Sequence, residues 1–285
     1  MIVFVFTLST VGEHFFVKAD TTVNIEDKIF SESSAILDLT VAEYENASEK
    51  ELQELGLDLK ETNTFNKEIL DPNYDPEEAL EDLDVAKMTK EEKKNFEVLV
   101  QETVQLAGTD EPELLEESLT NLYDSRSETF GDLESAIIEI ENNYEEKMNE
   151  EQSTVTAMIK NFITGTNSAE AVKKGAVRIG TNFAGSAINL ALGFAVGGLS
   201  GFGVNAIRVY VKKVGKAAAK KTLSRVASAE LSRLNVKAVA GVSVITVVGV
   251  AIEYAIDYFN VGGMIAKYID NHDWYRGNGW IDISK

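Results

Sequence analysis

The chain has 285 residues, 44% of them hydrophobic, and a formal net charge of −20 at pH 7. This length allows one or two domains with cores of their own, and we predict two. The chain contains no cysteine, which excludes disulfides, thiol nucleophiles and cysteine-based zinc or iron–sulfur sites. Its two histidines, His14 and His272, lie far apart in sequence and form no local pair for catalysis or metal binding. We therefore predict no enzyme activity, no cofactor and no metal ion.

The charges are divided between the two halves of the chain. Residues 1–150 carry a net charge of −28, and residues 151–285 carry +8. Between Glu170 and Glu253 the chain has twelve lysines and arginines and a single acid, Glu230. Such a division predicts two parts with different tasks, and the basic part suits an anionic surface such as lipid or nucleic acid.

Residues 1–19 have the pattern of a signal peptide. Met1–Val17 is a largely apolar stretch, and Val17-Lys18-Ala19 before Asp20 resembles a signal-peptidase cleavage site. We expect the protein to be secreted and its mature form to begin at Asp20. A buried strand followed by a turn, or a membrane anchor, is an alternative interpretation of this stretch.

Residues 20–165 are predicted to form an acidic helical domain. Ser48 and Glu51 fit the capping box that opens a helix, and so do Thr89 and Glu92. Pro112 suits the first turn of a further helix. Apolar residues recur at helical spacing after these signals, in three segments: Phe96, Leu99, Val100, Val104 and Ala107; Leu114, Leu115, Leu119 and Leu122; and Leu133, Ile137, Ile138, Ile140, Tyr144 and Met148.

The segment Asp71–Glu77 begins like a calcium-binding loop, because acidic and amide side chains alternate along it. Such a loop needs glycine at its sixth position and glutamate at its twelfth, where this chain has Pro76 and Asp82. We interpret Asp75 instead as the N-cap of a helix that begins at Pro76.

Ile179–Ile207 is a run of 29 residues that contains seven glycines and no charge. About 20 apolar residues span the ~30 Å core of a bilayer, so this run is long enough to cross it. A hairpin of two shorter helices that turns at Gly197-Gly198 is equally compatible. Small residues allow helices to approach closely inside membranes. We predict that the middle of the run inserts, through Gly193, Ala195, Gly197 and Gly198.

A basic segment begins at Arg208, where cations follow at steps of four residues and would share one face of a single helix. No acid lies in the segment before Glu230, so these cations have no partner at helical spacing. A basic amphipathic helix beside apolar segments is typical of a membrane-surface element. The segment lacks a recognition-helix motif, and we predict no nucleic-acid binding. The predicted membrane-binding cations are Arg208, Lys212, Lys213, Lys216, Lys220 and Lys221.

Ala238–Ile252 is a second uncharged run, of 15 residues. It is short for a membrane-spanning helix and typical of a buried helix. A pair of strands is the alternative, because the run is rich in β-branched residues. In a water-soluble fold we expect the two apolar runs to form a central hairpin, wrapped by amphipathic helices, that inserts when it opens.

The segment Tyr254–Trp280 holds seven aromatic residues, including both tryptophans of the chain. Tryptophan and tyrosine favour the level of the lipid headgroups, which predicts an interfacial anchor through Trp274, Tyr275 and Trp280. Packing of these aromatics onto a helical core is the alternative. We interpret His272 as a surface or turn histidine.

In composition and order of parts, Lys173–Tyr268 resembles secreted membrane-active bacteriocins and pore-forming toxins of Gram-positive type. The likeness is carried by the lysine-rich VKKVGKAAAKK and the glycine-rich ALGFAVGGLSG. It implies a mainly α fold and permeabilisation of the anionic membrane of target bacteria, together with self-association and an immunity protein as partner. The acidic half would then solubilise or mask the cationic apolar half, residues 166–285. A cell-envelope structural or interaction protein, anchored by the glycine-rich run, is the alternative function.

Overall fold

The computed structural model describes residues 69, 71, 74–75, 78, 80, 82–127, 178–198 and 204–283, which all belong to the compact unit Ala35–Lys285. This described part is mainly helical, as predicted. Its helices are α1 (Lys90–Ala107), α2 (Pro112–Leu122), α3 (Thr181–Gly197), α4 (Val204–Val214), α5 (Lys216–Arg233), α6 (Val244–Ala255) and α7 (Val261–Asp270). Its strands are β1 (Arg178–Gly180), β2 (Ala238–Val239), β3 (Val242–Ser243) and β4 (Trp280–Asp282).

Several predicted features lie outside the described residues and stay predictions. They are the signal-like segment 1–19, the helix opened by Ser48 and Glu51, the apolar pattern from Leu133 to Met148, the domain boundary at residues 165–166 and most of Asp71–Glu77.

The starts of α1 and α2 follow the predicted capping signals. The Glu92 amide donates to the Thr89 hydroxyl at 3.3 Å, and the Thr89 amide donates to the Glu92 carboxylate at 2.7 Å. This capping box opens α1, and Gly108, with φ of 58°, closes it in the left-handed conformation. Pro112 is the first residue of α2. The predicted apolar faces of both helices are buried, apart from the half-buried Leu114.

A single hydrophobic core joins helices from the acidic and the basic halves of the chain. It contains buried side chains of α1 and α2, such as Leu99 and Leu119, together with side chains of α3 to α7. The helix α3 lies at its centre, since it packs against α1, α4, α5 and α7. Fourteen of its 17 residues are buried.

The basic segment does not form the single helix that the four-residue spacing predicted. The helix α4 ends at Val214 and α5 begins at Lys216, because Gly215 between them has φ of 83°, a conformation that continues no right-handed helix. Arg208 and Lys212 therefore lie on one helix, and Lys216 and Lys220 on another.

The second apolar run divides into a short hairpin and a helix. The strands β2 and β3 pair in antiparallel register, Val239 opposite Val242, and α6 starts directly after β3. The helix α6 packs against α5 and α7. The expectation of a central hairpin built from both apolar runs is therefore wrong, because the main contacts of α3 and α6 are with other helices and only α3 is central.

The C-terminal strand β4 returns to the start of α3. It pairs antiparallel with β1, which precedes α3 directly, and the Thr181 amide and hydroxyl both donate to the Gly279 carbonyl at 3.0 Å. The chain end thus holds the N-terminus of the central helix. Among the helices that the structure describes, none has the length and apolar character to cross a membrane.

Candidate membrane-binding surface

The residues predicted to insert into a membrane are packing residues of the core in this structure. Gly193, Ala195 and Gly197 are buried, and Gly198, where α3 ends, is half-buried. A Cβ atom on Gly193 would lie 2.9 Å from Cδ1 of Leu99, so the absence of a side chain lets α1 approach α3 closely. The helix α3 ends at Gly197, and residues 199–203 lie outside the described part, so the hairpin alternative for this run stays a prediction.

The closest helix contact of α3 involves glycines that are not among the residues predicted to insert. A Cβ atom on Gly185 would lie 2.8 Å from Cα of Gly263 in α7. One on Gly262 would lie 2.7 Å from the amide nitrogen of Asn189 and closer still to the Gly185 carbonyl oxygen. The α3–α7 contact thus excludes any side chain larger than hydrogen at these glycines without movement of the backbone.

A buried amide network crosses the same contact. The Asn189 side chain of α3 donates to the side-chain oxygen Oδ1 of Asn260 at 2.6 Å and accepts from the Gly262 amide at 2.7 Å. Asn260, in turn, donates to the Leu106 carbonyl at the end of α1 at 3.0 Å and accepts from the Gly263 amide. Because both asparagines are 1% exposed, this network fixes the positions of α1, α3 and α7 in a place where unpaired polar groups are costly.

The cations of α5 have partners that the sequence spacing did not indicate. Lys216 forms an ion pair with Asp257, and Lys220 forms one with Glu253. Both acids belong to α6 or to the turn directly after it, so the pairs line the boundary between α5 and α6. Lys212, Lys213 and Lys221 are exposed, and the half-buried Arg208 places its guanidinium 5.7 Å from the centre of the Phe259 ring.

The only acid within the basic segment, Glu230, is buried and makes a structural ion pair. Its carboxylate accepts two hydrogen bonds of 3.0 Å from Arg233, and Arg233 also donates to the Leu122 carbonyl of α2. The Arg233 guanidinium lies 4.2 Å from the centre of the Tyr123 ring. Burial, together with the Glu230 charge, raises the pKa of Tyr123 well above its ordinary value. The pair therefore joins α5 to the end of α2.

The predicted aromatic anchor is only partly at the surface. Trp280 lies in β4, with the Arg178 guanidinium 4.3 Å from its ring centre, and both Trp280 and Tyr275 are half-buried. Trp274 is 40% exposed. Of the remaining tail aromatics, Phe259 is buried, Tyr258 and Tyr268 are half-buried and Tyr254 is exposed, so packing onto the core describes only part of the tail.

His272 belongs to a stack of three rings that connects α6 to the end of α7. The Tyr254 and Tyr268 ring centres are 5.9 Å apart, and those of Tyr268 and His272 are 4.0 Å apart. The Nδ1 atom of His272 lies 2.7 Å from the Tyr268 carbonyl oxygen. Its position in a turn after α7 agrees with the interpretation as a turn histidine.

Three buried aspartates organise the loop between α7 and β4. Asp270 accepts from the amides of Asn278 and Gly279, and Asp273 accepts from those of Tyr275 and Asp282. Burial raises the pKa of Asp273 to about 7, with the Asp282 and Asp270 carboxylates adding to the effect and the amide hydrogen bonds opposing it. Burial also raises the pKa of Asp270. These carboxylates thus bind backbone, and among the described residues no group of acids and histidines has the arrangement to hold a metal ion.

Sequence reasoning missed an exposed apolar surface on β3 and α6. Val242, Ile245, Val250 and Tyr254 are 46%, 68%, 41% and 59% exposed, and we call these four side chains the α6 apolar face. The exposed Thr246 and Gly249 lie between them. Because the run is apolar on all sides, hydropathy gave no sign of which face meets solvent.

The chain matches no model of a known protein family, no curated protein sequence and no solved structure.

Proposed function

We propose that this is a secreted, antibacterial, membrane-permeabilising protein of the bacteriocin or pore-forming toxin type. It binds the anionic membrane of a target cell through the cations of α4 and α5, and α3 then leaves the core to disturb the bilayer. The supporting observation is the central position of α3, an uncharged helix with 14 of its 17 residues buried, beneath a surface of exposed lysines.

The size of α3 suggests how it would act. A helix of 17 residues is about 26 Å long, which is short of the ~30 Å hydrocarbon core. We therefore propose that α3 and α4 enter together as a hairpin that turns after Gly197, with Lys212 and Lys213 remaining at the headgroups. The two lysines lie in the last turn of α4, where long cationic side chains reach the interface.

The acidic half would mask the apolar half by covering α3. The helix α1 packs against α3, and Leu99 occupies the space left by Gly193. The cations Lys216 and Lys220 pair with acids of the C-terminal half, so masking rests on apolar contact with α1 more than on charge pairing with the acidic half. The alternative, a constitutive anchor, is less compatible with a run whose buried Asn189 bonds to α7.

The direct test is release of a trapped dye from liposomes. At low ionic strength, the protein beginning at Asp20 should release dye from phosphatidylglycerol-containing vesicles and much less from vesicles of pure phosphatidylcholine. Absence of release from anionic vesicles at every protein concentration and ionic strength tested would contradict the proposal.

A matched pair of double variants tests the role of the cations. Lys213→Gln with Lys221→Gln removes two exposed charges from α4 and α5, and Lys90→Gln with Lys94→Gln removes two exposed charges from α1. Each lysine near an anionic surface contributes about 1 kcal/mol, so the first variant should bind about thirtyfold more weakly than the second. Added salt should reduce this difference. Equal binding by the two variants would contradict recruitment through α4 and α5.

A further inference from the structure

We propose that the α6 apolar face is the surface with which the protein docks on an anionic lipid membrane before any helix leaves the core. This inference rests on the proposed function, and it assigns the first lipid contact to Val242, Ile245, Val250 and Tyr254.

The exposed apolar side chains of the described residues concentrate on this face. Six large hydrophobic residues are exposed in the described part of the chain. Four of them lie from Val242 to Tyr254, and the others are Val98 and Trp274. On α6, successive residues turn by 100°, which places Ile245, Gly249, Val250 and Tyr254 on one half of the helix and the six buried residues on the other. Thr246 and the ion-paired Glu253 lie in the middle of this exposed half, and the apolar side chains line it on both sides.

Cations border the α6 apolar face on the side of α5. Lys216 and Lys220 of α5 lie along this side in ion pairs with the exposed acids Asp257 and Glu253, which fixes α5 beside α6. Lys221 of α5 is exposed and adds a further cation. Apolar side chains flanked by lysines are the pattern of an interfacial helix, whose apolar face enters the headgroup layer while its cations meet anionic lipid. On the opposite side, Tyr254 stacks on Tyr268, and tyrosine rings favour the headgroup level.

The size of the face also favours lipid over a second protein molecule. A helix of 12 residues is about 18 Å long, and at a width of ~10 Å it offers roughly 200 Å². A stable protein interface buries about 800 Å² on each partner. A membrane surface has no such minimum, since a few apolar side chains and nearby cations act together on it.

The experiment compares two valines of equal exposure. Val250 on the α6 apolar face is 41% exposed and Val98 on α1 is 42% exposed, so Val250→Ser and Val98→Ser make the same chemical change at equivalent surface positions. Co-sedimentation with phosphatidylglycerol vesicles measures the affinity of each full-length variant. We expect Val250→Ser to weaken binding on the order of tenfold, since one large apolar side chain leaves the lipid, and Val98→Ser to have little effect.

A second substitution keeps the test independent of folding. Ile245 is 68% exposed, so Ile245→Ser should leave the melting temperature in buffer nearly unchanged and still weaken vesicle binding by about tenfold. Equal vesicle binding by Val250→Ser and Val98→Ser would overturn docking through α6 and leave membrane binding itself intact. A wild-type dimer in solution that Val250→Ser converts to monomer would assign the face to a second copy instead. If the wild-type protein binds no vesicle, the proposed function fails as well.

Discussion

The helices α3 and α6 are formed largely by the two uncharged runs of this chain, and they differ in what surrounds them more than in composition. The helix α3 has 14 buried residues of 17, with neighbours on several sides. The helix α6 has 6 buried residues of 12, and among the described helices its main contacts are with α5 and α7 on its inner side. Because burial depends on the number of neighbouring elements, an apolar sequence does not by itself indicate which helix is central. The helix with the weaker resemblance to a membrane span is the one that exposes apolar side chains.

The two helices also use glycine differently. In α3, Gly185 and Gly193 lie at close contacts with α7 and α1, and an asparagine network fixes the first of these contacts. In α6, Gly249 has no atom within 4 Å of where a Cβ would lie. Substitutions at the contacts of α3 and on the exposed side of α6 should therefore change the free energy of unfolding by different amounts, and in some cases in opposite directions.

The largest difference is expected for a buried charge. Ala195→Asp places a carboxylate in a position that is 1% exposed, where an uncompensated charge costs about 3–5 kcal/mol. Thr246→Asp places the same group on the exposed side of the first turn of α6, where the helix dipole favours it and the change should stay within about 0.5 kcal/mol. Urea unfolding followed by far-UV circular dichroism measures both. Comparable stability of the two variants would mean that α3 is not the centre of the core in solution.

The next difference concerns whether a glycine-to-alanine substitution stabilises or destabilises the folded protein. Gly262→Ala forces a methyl group against the backbone of α3 and should destabilise the protein by about 1–3 kcal/mol. Gly249→Ala meets open space inside a helix and should stabilise it by up to about 1 kcal/mol, since alanine is the better helix former. Thermal unfolding of the two variants in the same buffer tests this, and a shift in the same direction for both would refute the packing described for the α3–α7 contact.

Local signals in the sequence predicted the parts of the fold that depend on local chemistry. The capping box of Thr89 and Glu92 and the position of Pro112 gave the starts of α1 and α2, because these residues satisfy or remove amides within one turn. The helical spacing of Phe96, Leu99 and the following apolar residues gave the buried face of α1.

Features that depend on distant parts of the chain were not predictable in the same way. The partners of Lys216 and Lys220 lie 41 and 33 residues away, and no spacing rule connects them. The break at Gly215 carried a signal, a glycine within a helical pattern, but an isolated glycine is tolerated in helices and does not identify a break. The exposure of the α6 apolar face follows from which helices pack beside it, so that the candidate docking surface required the tertiary structure.

The smallest expected effect on stability concerns the loop between α7 and β4, the strand that pairs with β1 at the start of α3. Asp273 is 3% exposed, and its pKa of about 7 lies above that of an aspartate in the unfolded chain, so the folded protein binds this proton more tightly. Its contribution to stability is therefore greatest below pH 4 and is lost as the pH rises towards 7.

Lowering the pH from 7.5 to 6 covers only the upper end of this range. The melting temperature of the wild-type protein should rise by a few degrees over this step, relative to Asp273→Asn, which cannot titrate. Asp110→Asn, at an exposed position, controls for the loss of one acid and should keep the wild-type pH dependence. An Asp273→Asn variant with the wild-type pH dependence would show that Asp273 stays ionised throughout this range, with the Tyr275 and Asp282 amides stabilising its charge against the effect of burial.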